Sequence, residues 1–381
     1  MRIVIVGAGV GGLALARGLL DSGHEVQVHE RETDSGTEET GLGLSPNGVA
    51  ALSALGVDVS GIGRRLDGVE NRDPSGRVRY TLDVGAVREH FGFQARAVPR
   101  RALLKLIAQG LPEGTVRFGR VCTRVRVNRD GSVSALFGDG TDATGDVVVG
   151  ADGVRSAARR DLWDGDPTRP TGWASWQALT EVPMAAASGT TAAVVQGRQG
   201  VCGIMPAGDG LVRWWFDVRW RSDIQRPRSP MGVLRKLFGG WDDPWVRTIL
   251  DHDAEPELFE HVRHRVPKVW GEGGATLLGD AAHTFPPSTA QGVDQALEDA
   301  WALTRVLGEE RVEDDPARAL RRYERSRRGP VTLVSVSSGM ESLKRFGPPR
   351  FLGPERLSTM ATRQYIGYLS GVSDVLTDRR P

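Results

Sequence analysis

The stretch Arg2-Ile-Val-Ile-Val-Gly7-Ala-Gly9-Val-Gly11-Gly12 constrains the fold more than any other part of this sequence. A run of β-branched residues that stops at glycine reads as a buried parallel strand. Residues 10–22 carry small side chains at Gly12, Ala14 and Ala16 and read as a helix, and EVQVHE reads as a second strand. Together they make a βαβ unit, a connection of fixed hand. Gly7 permits the tight turn, Gly9 lets backbone N–H groups approach a pyrophosphate, and beyond Gly11, Gly12 lets the helix lie close on the strand. The helix N-terminus favours negative charge. Glu30 ends the second strand 18 residues after Gly12, where its carboxylate can accept from ribose hydroxyls, with Arg31 beside it. A glycine-rich turn that binds nothing is the bland alternative. In this strand–helix–strand setting we read an adenine-dinucleotide site, for NAD or FAD.

Two later stretches have the same strand-to-turn form. Asp146-Val-Val-Val-Gly150-Ala-Asp152-Gly153 runs from a buried strand into a turn and a short basic helix ending at Arg159. Asp152 reads equally well as a ligand contact and as an N-capping acid. The second stretch, GDAAHTFPPSTAQGVDQALEDA, covers residues 279–300. Asp280 follows an apolar strand, where a βα crevice binds ligands, and could accept from a hydroxyl of a sugar-like chain. Pro286 and Pro287 stiffen the loop. Gln291 and Gly292 open a helix with apolar positions Val293, Ala296, Leu297, Ala300 and Trp301, whose free N–H groups would point at the loop. His283 by itself reads as a satisfied structural histidine.

The fold class that follows is α/β plus β. A discontinuous Rossmann-like domain comprises residues 1–70, 97–165 and 268–335, a mainly antiparallel sheet domain comprises 71–96 and 166–267, and a helical tail covers 336–381. Strand-like runs WASWQALTEV, AAVVQGRQGVCGIMP and LVRWWFDVRW mark the inserted sheet, and nine of the ten tryptophans lie between Trp163 and Trp270. Residues 316–345 read as a long helix interrupted near Gly329-Pro330. The net charge of +1 gives no nucleic-acid or membrane footprint, and Cys122 and Cys202 suggest neither a disulfide framework nor a metal site. No apolar run is long enough to span a membrane, and the chain opens directly on a strand, so a cytoplasmic setting is expected. Oligomeric state has no signal here.

Trp173 and Trp176, three apart on one strand, cannot share a face, whereas Trp214 and Phe216 can, with Trp215 opposite. One face should line a pocket or pack on the nucleotide domain. Gln177 and Trp214 are our candidates for substrate contact.

In this order the three motifs resemble the class A FAD-dependent aromatic monooxygenases of the para-hydroxybenzoate hydroxylase fold, from Met1 to about Arg328. GxGxxG with Glu30 is similar to that family's ADP site, GADGVRSAAR to its DG motif, and GDAAH…PP…QG to its GD motif, where the Asp binds the ribityl chain. Arg100, in VPRRALLKL, matches an arginine that the family places against FAD. The resemblance implies FAD, with NADPH or NADH as transient donor, and insertion of one oxygen atom from O2 into an aromatic or polycyclic substrate through a flavin C4a-hydroperoxide. No protein nucleophile or metal is then needed, and natural-product (antibiotic) biosynthesis or aromatic catabolism is the setting. Two positions depart from the pattern. Ala290 stands for a glycine and should lose access to positive φ, and Asp294 stands for an amide and would place a charge near the ring. Gln177 stands where many relatives carry the arginine that clamps a carboxylate, which favours a polycyclic or phenolic substrate. The alternatives are a flavin-dependent halogenase, for which Trp173-Ala-Ser-Trp176 has the wrong spacing, and a non-catalytic flavin-binding sensor.

Overall fold

The computed structural model describes residues 1–34, 40–183, 185–309, 312–343 and 353–378. One layer is a five-stranded sheet in the order Ala275–Leu277, Val147–Gly150, Arg2–Val6, Glu25–His29, Val116–Arg117, with every pair parallel. Ile3, Val4, Ile5, Val147 and Val149 are fully or almost fully buried, as in a parallel sheet covered on both faces. The first three strands in that order are far apart in sequence and adjacent in space. Their carboxyl ends therefore open on one edge, bringing together Gly7, Asp152 and Asp280, as an open α/β sheet does at its ligand crevice.

The second layer is a seven-stranded sheet in the order Glu257–Arg263, Arg169–Glu181, Leu211–Arg219, Val201–Gly208, Thr191–Gln196, Gly68–Arg72, Val78–Asp83. The strand Gly68–Arg72 crosses the boundary expected at residue 70. One face of this sheet is sealed by the helices Pro230–Phe238 and Pro244–Asp251, around Trp176, Trp214, Phe216 and Trp241. The other face turns towards the parallel sheet.

The long helix corrects one expectation. It runs from Pro316 to Leu343 without interruption at Pro330. A proline removes one helical hydrogen bond, but Pro330 and Val331 are buried, and packing offsets the loss. The tail segment 344–352 lies outside the described residues; beyond it, the helix Pro354–Val372 is part of the body of the fold. Ser358 Oγ and Thr362 Oγ1 accept the backbone N–H groups of Thr81 and Asp83 at 2.9 and 3.1 Å, closing an exposed sheet edge. No helix among the described residues is long and apolar enough to cross a membrane.

The helix Gly292–Leu307 is buried on its polar side as well as its apolar one: Asp294, Gln295, Glu298 and Asp299 are all at 0% exposure. The reason is Arg327, also fully buried, on the neighbouring Pro316–Leu343 helix. Its guanidinium donates to Asp299 Oδ1 at 2.8 Å, Glu298 Oε2 at 3.1 Å, Asp374 Oδ2 at 3.2 Å and Gln295 Oε1 at 2.7 Å. Burial works against that charge, but the three carboxylates hold its pKa above the ordinary arginine value. Removing the cation would strand several buried acids. Arg327→Leu should lower stability by about 3–5 kcal/mol, read from urea unfolding curves at neutral pH, with the loss shrinking under acidic conditions.

Candidate functional site

Between the two layers lies a cleft of about 2410 Å3. Small-molecule sites usually occupy roughly 300–1,000 Å3, so this one has room for a dinucleotide and a second ligand. The glycine fingerprint forms one end. Gly7 has φ +108, and a Cβ there would collide with the Ala151 carbonyl oxygen. A Cβ at Gly12 would strike Gly7 O, and one at Gly11 would meet Leu278. Gly9 differs: nothing lies within 4 Å of its Cβ position, and it borders the cleft at the start of the helix Val10–Gly18. Gly7 and Gly12 therefore serve the close crossing of backbones, whereas Gly9 keeps the mouth of the helix open.

Other predicted residues divide into those that face the cleft and those that support it. Gly11, Arg31, Arg100, Asp152, Asp280, Pro287, Gly292 and Gln177 border it. Glu30 does not. Its Oε2 accepts from Ala8 N at 2.6 Å and its Oε1 from Glu32 N at 3.0 Å, so the carboxylate clamps the fingerprint loop from behind, with lone pairs left over. Asp152 borders the cleft, but its carboxylate caps the short helix Ala157–Leu162: Oδ2 accepts from Ala157 N and Ala158 N at 2.7 and 3.1 Å, and Oδ1 from Ser156 Oγ at 2.5 Å. Of the two readings open for Asp152, its side chain takes the capping one.

Asp280 is different. It begins a single helical turn after Gly279, whose φ is +61. The buried Arg159 donates to the carbonyl oxygens of Asp280 and Ala281, both at 3.1 Å, and so ties the second motif to the third. Among the described residues no side chain hydrogen-bonds the Asp280 carboxylate. Burial raises its pKa, against the pull of His283 and Arg159. His283 has the structural role expected of it: Nε2 pairs with Asp299 Oδ2 at 2.5 Å. Asp299 also accepts Gly279 N at 2.9 Å, which fixes the turn before Asp280.

The loop after the prolines corrects two further expectations. Ala290 does adopt the left-handed conformation, with φ 52 and ψ 28. The neighbouring turn Pro287–Thr289 is pinned to Ser338 by Ser288 Oγ at 2.8 Å and Thr289 Oγ1 at 2.7 Å, so the strain is held by packing. Asp294 turns away from the cleft. Its carboxylate accepts from Ser45 N at 3.1 Å and Gln291 Nε2 at 3.2 Å. Burial pushes its pKa well above the usual range, and nearby Glu298 adds to the effect. Gln291 is likewise turned inward, with Oε1 accepting from Asn47 and Gln295 at 3.0 Å each. It positions the helix start and does not border the cleft.

On the sheet side, Trp214 is a misplacement. It is 0% exposed in the helix-covered core, with Nε1 donating to Thr180 Oγ1 at 2.9 Å. The residue that borders the cleft is Trp215, with Arg213 stacked 4.7 Å from its ring centroid. The signal was present in the alternation. Val212, Trp214, Phe216 and Val218 form an all-apolar face, whereas Arg213, Trp215, Asp217 and Arg219 form a face with charges. A charged face cannot be the one sealed under helices. Arg213 is missed by the sequence reading. Among the described residues its Nε has no hydrogen-bond partner, and burial lowers its pKa to about 10, so it remains a cation.

Residues 1–335 match the family described as FAD binding domain. The chain is 32% identical over 337 residues to a 3-amino-4-hydroxybenzoate 2-monooxygenase from Streptomyces platensis, covering 86% of this chain and 84% of that protein. It is 31% identical over 343 residues to an FAD-dependent urate hydroxylase from Klebsiella pneumoniae, covering 86% of each. The solved structure of Klebsiella pneumoniae HpxO with FAD and uric acid superposes with a TM-score of 0.84 at 26% identity, over 100% of this chain and 95% of that one.

Two outcomes follow from the loop. Left-handed backbone costs a non-glycine residue about 1–2 kcal/mol, and glycine gives back part of that through the unfolded chain. Ala290→Gly should gain up to about 1 kcal/mol in chemical denaturation, and Ala290→Val should lose at least as much. For Asp294, a folded pKa raised above the unfolded value means that wild type loses stability as pH rises past the ordinary carboxylate range. Asp294→Asn should therefore gain on wild type in melting temperature between acidic and mildly alkaline pH.

Proposed function

The chain belongs to the FAD binding domain family and is an FAD-dependent monooxygenase, and from that premise we propose that FAD lies along the strand-end edge of the cleft with its ring against the seven-stranded sheet. The observation that carries this is Asp280: a half-buried carboxylate bordering the cleft at the end of a parallel strand, with no side-chain hydrogen-bond partner among the described residues. A hydroxylated chain is the ligand such a group fits, because an acceptor-only carboxylate needs donors.

Bound FAD would supply the reduction of O2, with electrons from NADPH or NADH, and the transfer of one oxygen atom. The protein's own residues bind, orient and shield. Gly9 and the helix N-terminus receive the pyrophosphate, Arg31 lies at the ribose end with Glu30 behind it holding the fingerprint loop, and Arg100 borders the cleft between them and the sheet. Pro287 and Gly292 frame the ring. The rigid, strained turn through Ala290 fixes the ring against the substrate, since small displacements of reacting groups are costly in rate. Asp294, turned inward, puts no charge beside the ring. The helix Pro354–Val372 borders the cleft through Leu357, Met360 and Tyr365 and excludes water.

The substrate is a small aromatic ring held by Gln177, Trp215, Met205 and Arg213. Arg213 returns to the cleft the cation that Gln177 does not provide, so an anionic ring fits as well as the phenolic or polycyclic one first expected. By their names, the relatives act on 3-amino-4-hydroxybenzoate and urate. The comparisons give the halogenase alternative no support.

Asp280→Ala should emerge colourless or nearly so while its far-ultraviolet circular dichroism is kept; a fully yellow variant with unchanged turnover would refute the ribityl role. Wild-type holoenzyme, given NADH or NADPH with a panel of aromatic acids and phenols, should consume the nucleotide faster with a substrate present and yield a product heavier by one oxygen atom.

A further inference from the structure

One cluster in the cleft wall takes no part in holding the dinucleotide. Ser175 Oγ donates to Asp217 Oδ1 at 2.5 Å and lies 2.6 Å from His261 Nε2. The imidazole and carboxylate are 3.8 Å apart, so the hydroxyl stands between them. The three residues come from three adjacent strands, and all border the cleft. The serine's only proton points to the carboxylate, so Oγ accepts from His261 Nε2–H; this tautomer is assigned from the network. A nucleophilic triad needs the opposite order, with the imidazole free to take the serine proton. Ser175 is therefore not a nucleophile, and the cluster ends at Asp217.

We propose that Asp217 is the base that removes an ionisable ring proton from the substrate, with Ser175 and His261 as positioning residues, and that the substrate is accordingly an aromatic or heteroaromatic ring bearing an acidic hydroxyl or N–H. The inference rests on the monooxygenase reading and narrows it. In the step, the O–H or N–H bond of the substrate breaks, its electron pair stays on the heteroatom, and the proton bonds to a carboxylate oxygen of Asp217. Negative charge passes from the protein to the ring, no redox change occurs, and the ring anion is the more electron-rich oxygen acceptor.

The surroundings suit the task. Burial pushes the Asp217 carboxyl up to about 6, against the pull of Ser175, Arg213 and a hydrogen bond from Trp215. A base with that affinity is ionised at neutral pH and still holds a proton usefully. The side chain is 20% exposed, and the cleft is what it borders. Burial lowers the His261 imidazole to about 4, so it stays a neutral donor. From the same strand Arg213 faces the cleft as a cation able to steady the ring anion. Cys202, on the neighbouring strand, is fully buried, and its thiol is held protonated by that burial with Asp243 and Asp217 nearby. Base function should be present above about pH 6 and lost below it.

The test uses FAD-loaded protein and 4-nitrophenol, whose ionised form absorbs at longer wavelength than the neutral phenol, with its methyl ether 4-nitroanisole as the partner lacking a proton. Bound to wild type, 4-nitrophenol should ionise at a pH higher by about one unit or more than when bound to Asp217→Asn, because the carboxylate accepts from the neutral phenol and repels its anion, and Ser175→Ala should move the midpoint towards that of Asp217→Asn by less. The ether should bind about tenfold more weakly than the phenol. The flavin spectrum of each variant reports that it is folded. Identical ionisation midpoints in wild type and Asp217→Asn, equal binding of phenol and ether, or no saturable binding of 4-nitrophenol to wild type would each overturn the proposal. If aromatic-stimulated NAD(P)H oxidation with oxygen insertion is nonetheless seen, the monooxygenase reading stands and only the role of Asp217 falls. If no aromatic stimulates it, the function itself is wrong whatever the nitrophenol does.

Discussion

The buried guanidinium of Arg327 is the constraint from which most of the cleft's floor follows. One cation gathers Glu298, Asp299, Gln295 and Asp374, and so joins the helix Gly292–Leu307, its own helix and the end of the chain. Asp299, held below its ordinary pKa by His283 and Arg327 although burial opposes this, in turn holds Gly279 N and His283. The geometry at Asp280 is thus set at second hand by a residue 47 positions later in the chain. Buried ion networks contribute little net stability compared with a well-packed apolar core, because desolvation cancels most of the attraction. What this one supplies is position: each member has directional partners, and a shift in one would leave another unpaired.

The same network reaches the upper part of the cleft. Gln295 donates to Gln291, Gln291 to Ser45 and Asp294, and Tyr365 of the last helix donates to Ser45 Oγ at 3.1 Å. The loop between the prolines and the helix start is consequently over-determined, and a non-glycine residue can be kept in left-handed conformation there. Rigidity at this point suits a site in which a reactive ring and a substrate must meet in one orientation. The opposite wall is built by simpler means, from strand alternation, with charged and aromatic side chains on the open face and apolar ones under the helices.

Much of this was legible beforehand. The glycine fingerprint, the acid at Asp280, the inserted sheet and the structural role of His283 could all be read from short-range pattern, because each depends on residues within a few positions of one another. The misreadings have a common origin. Gln291 and Asp294 were placed near a ligand by motif, but donors from a distant segment, Asn47 Nδ2 and Ser45 N, lie within reach, and an acceptor buried beside such donors turns to them; Asp152, left open between two roles, is taken by the N–H groups of the helix that follows it. Pro330 was read as a break, yet the partners packed on its helix outweigh one missing hydrogen bond.

By itself the sequence determined which side chains share a face and where strands end in turns. Those properties follow from the periods of helix and strand and from the backbone limits of glycine and proline. Only the tertiary structure decided which face of the Leu211–Arg219 strand meets the cleft, and hence that Trp215, Arg213 and Asp217 border it while Trp214 does not. Period-two alternation fixes faces relative to each other but not to the rest of the molecule. That choice is made by which face the helices Pro230–Phe238 and Pro244–Asp251 cover, and by the cost of burying charge beneath them.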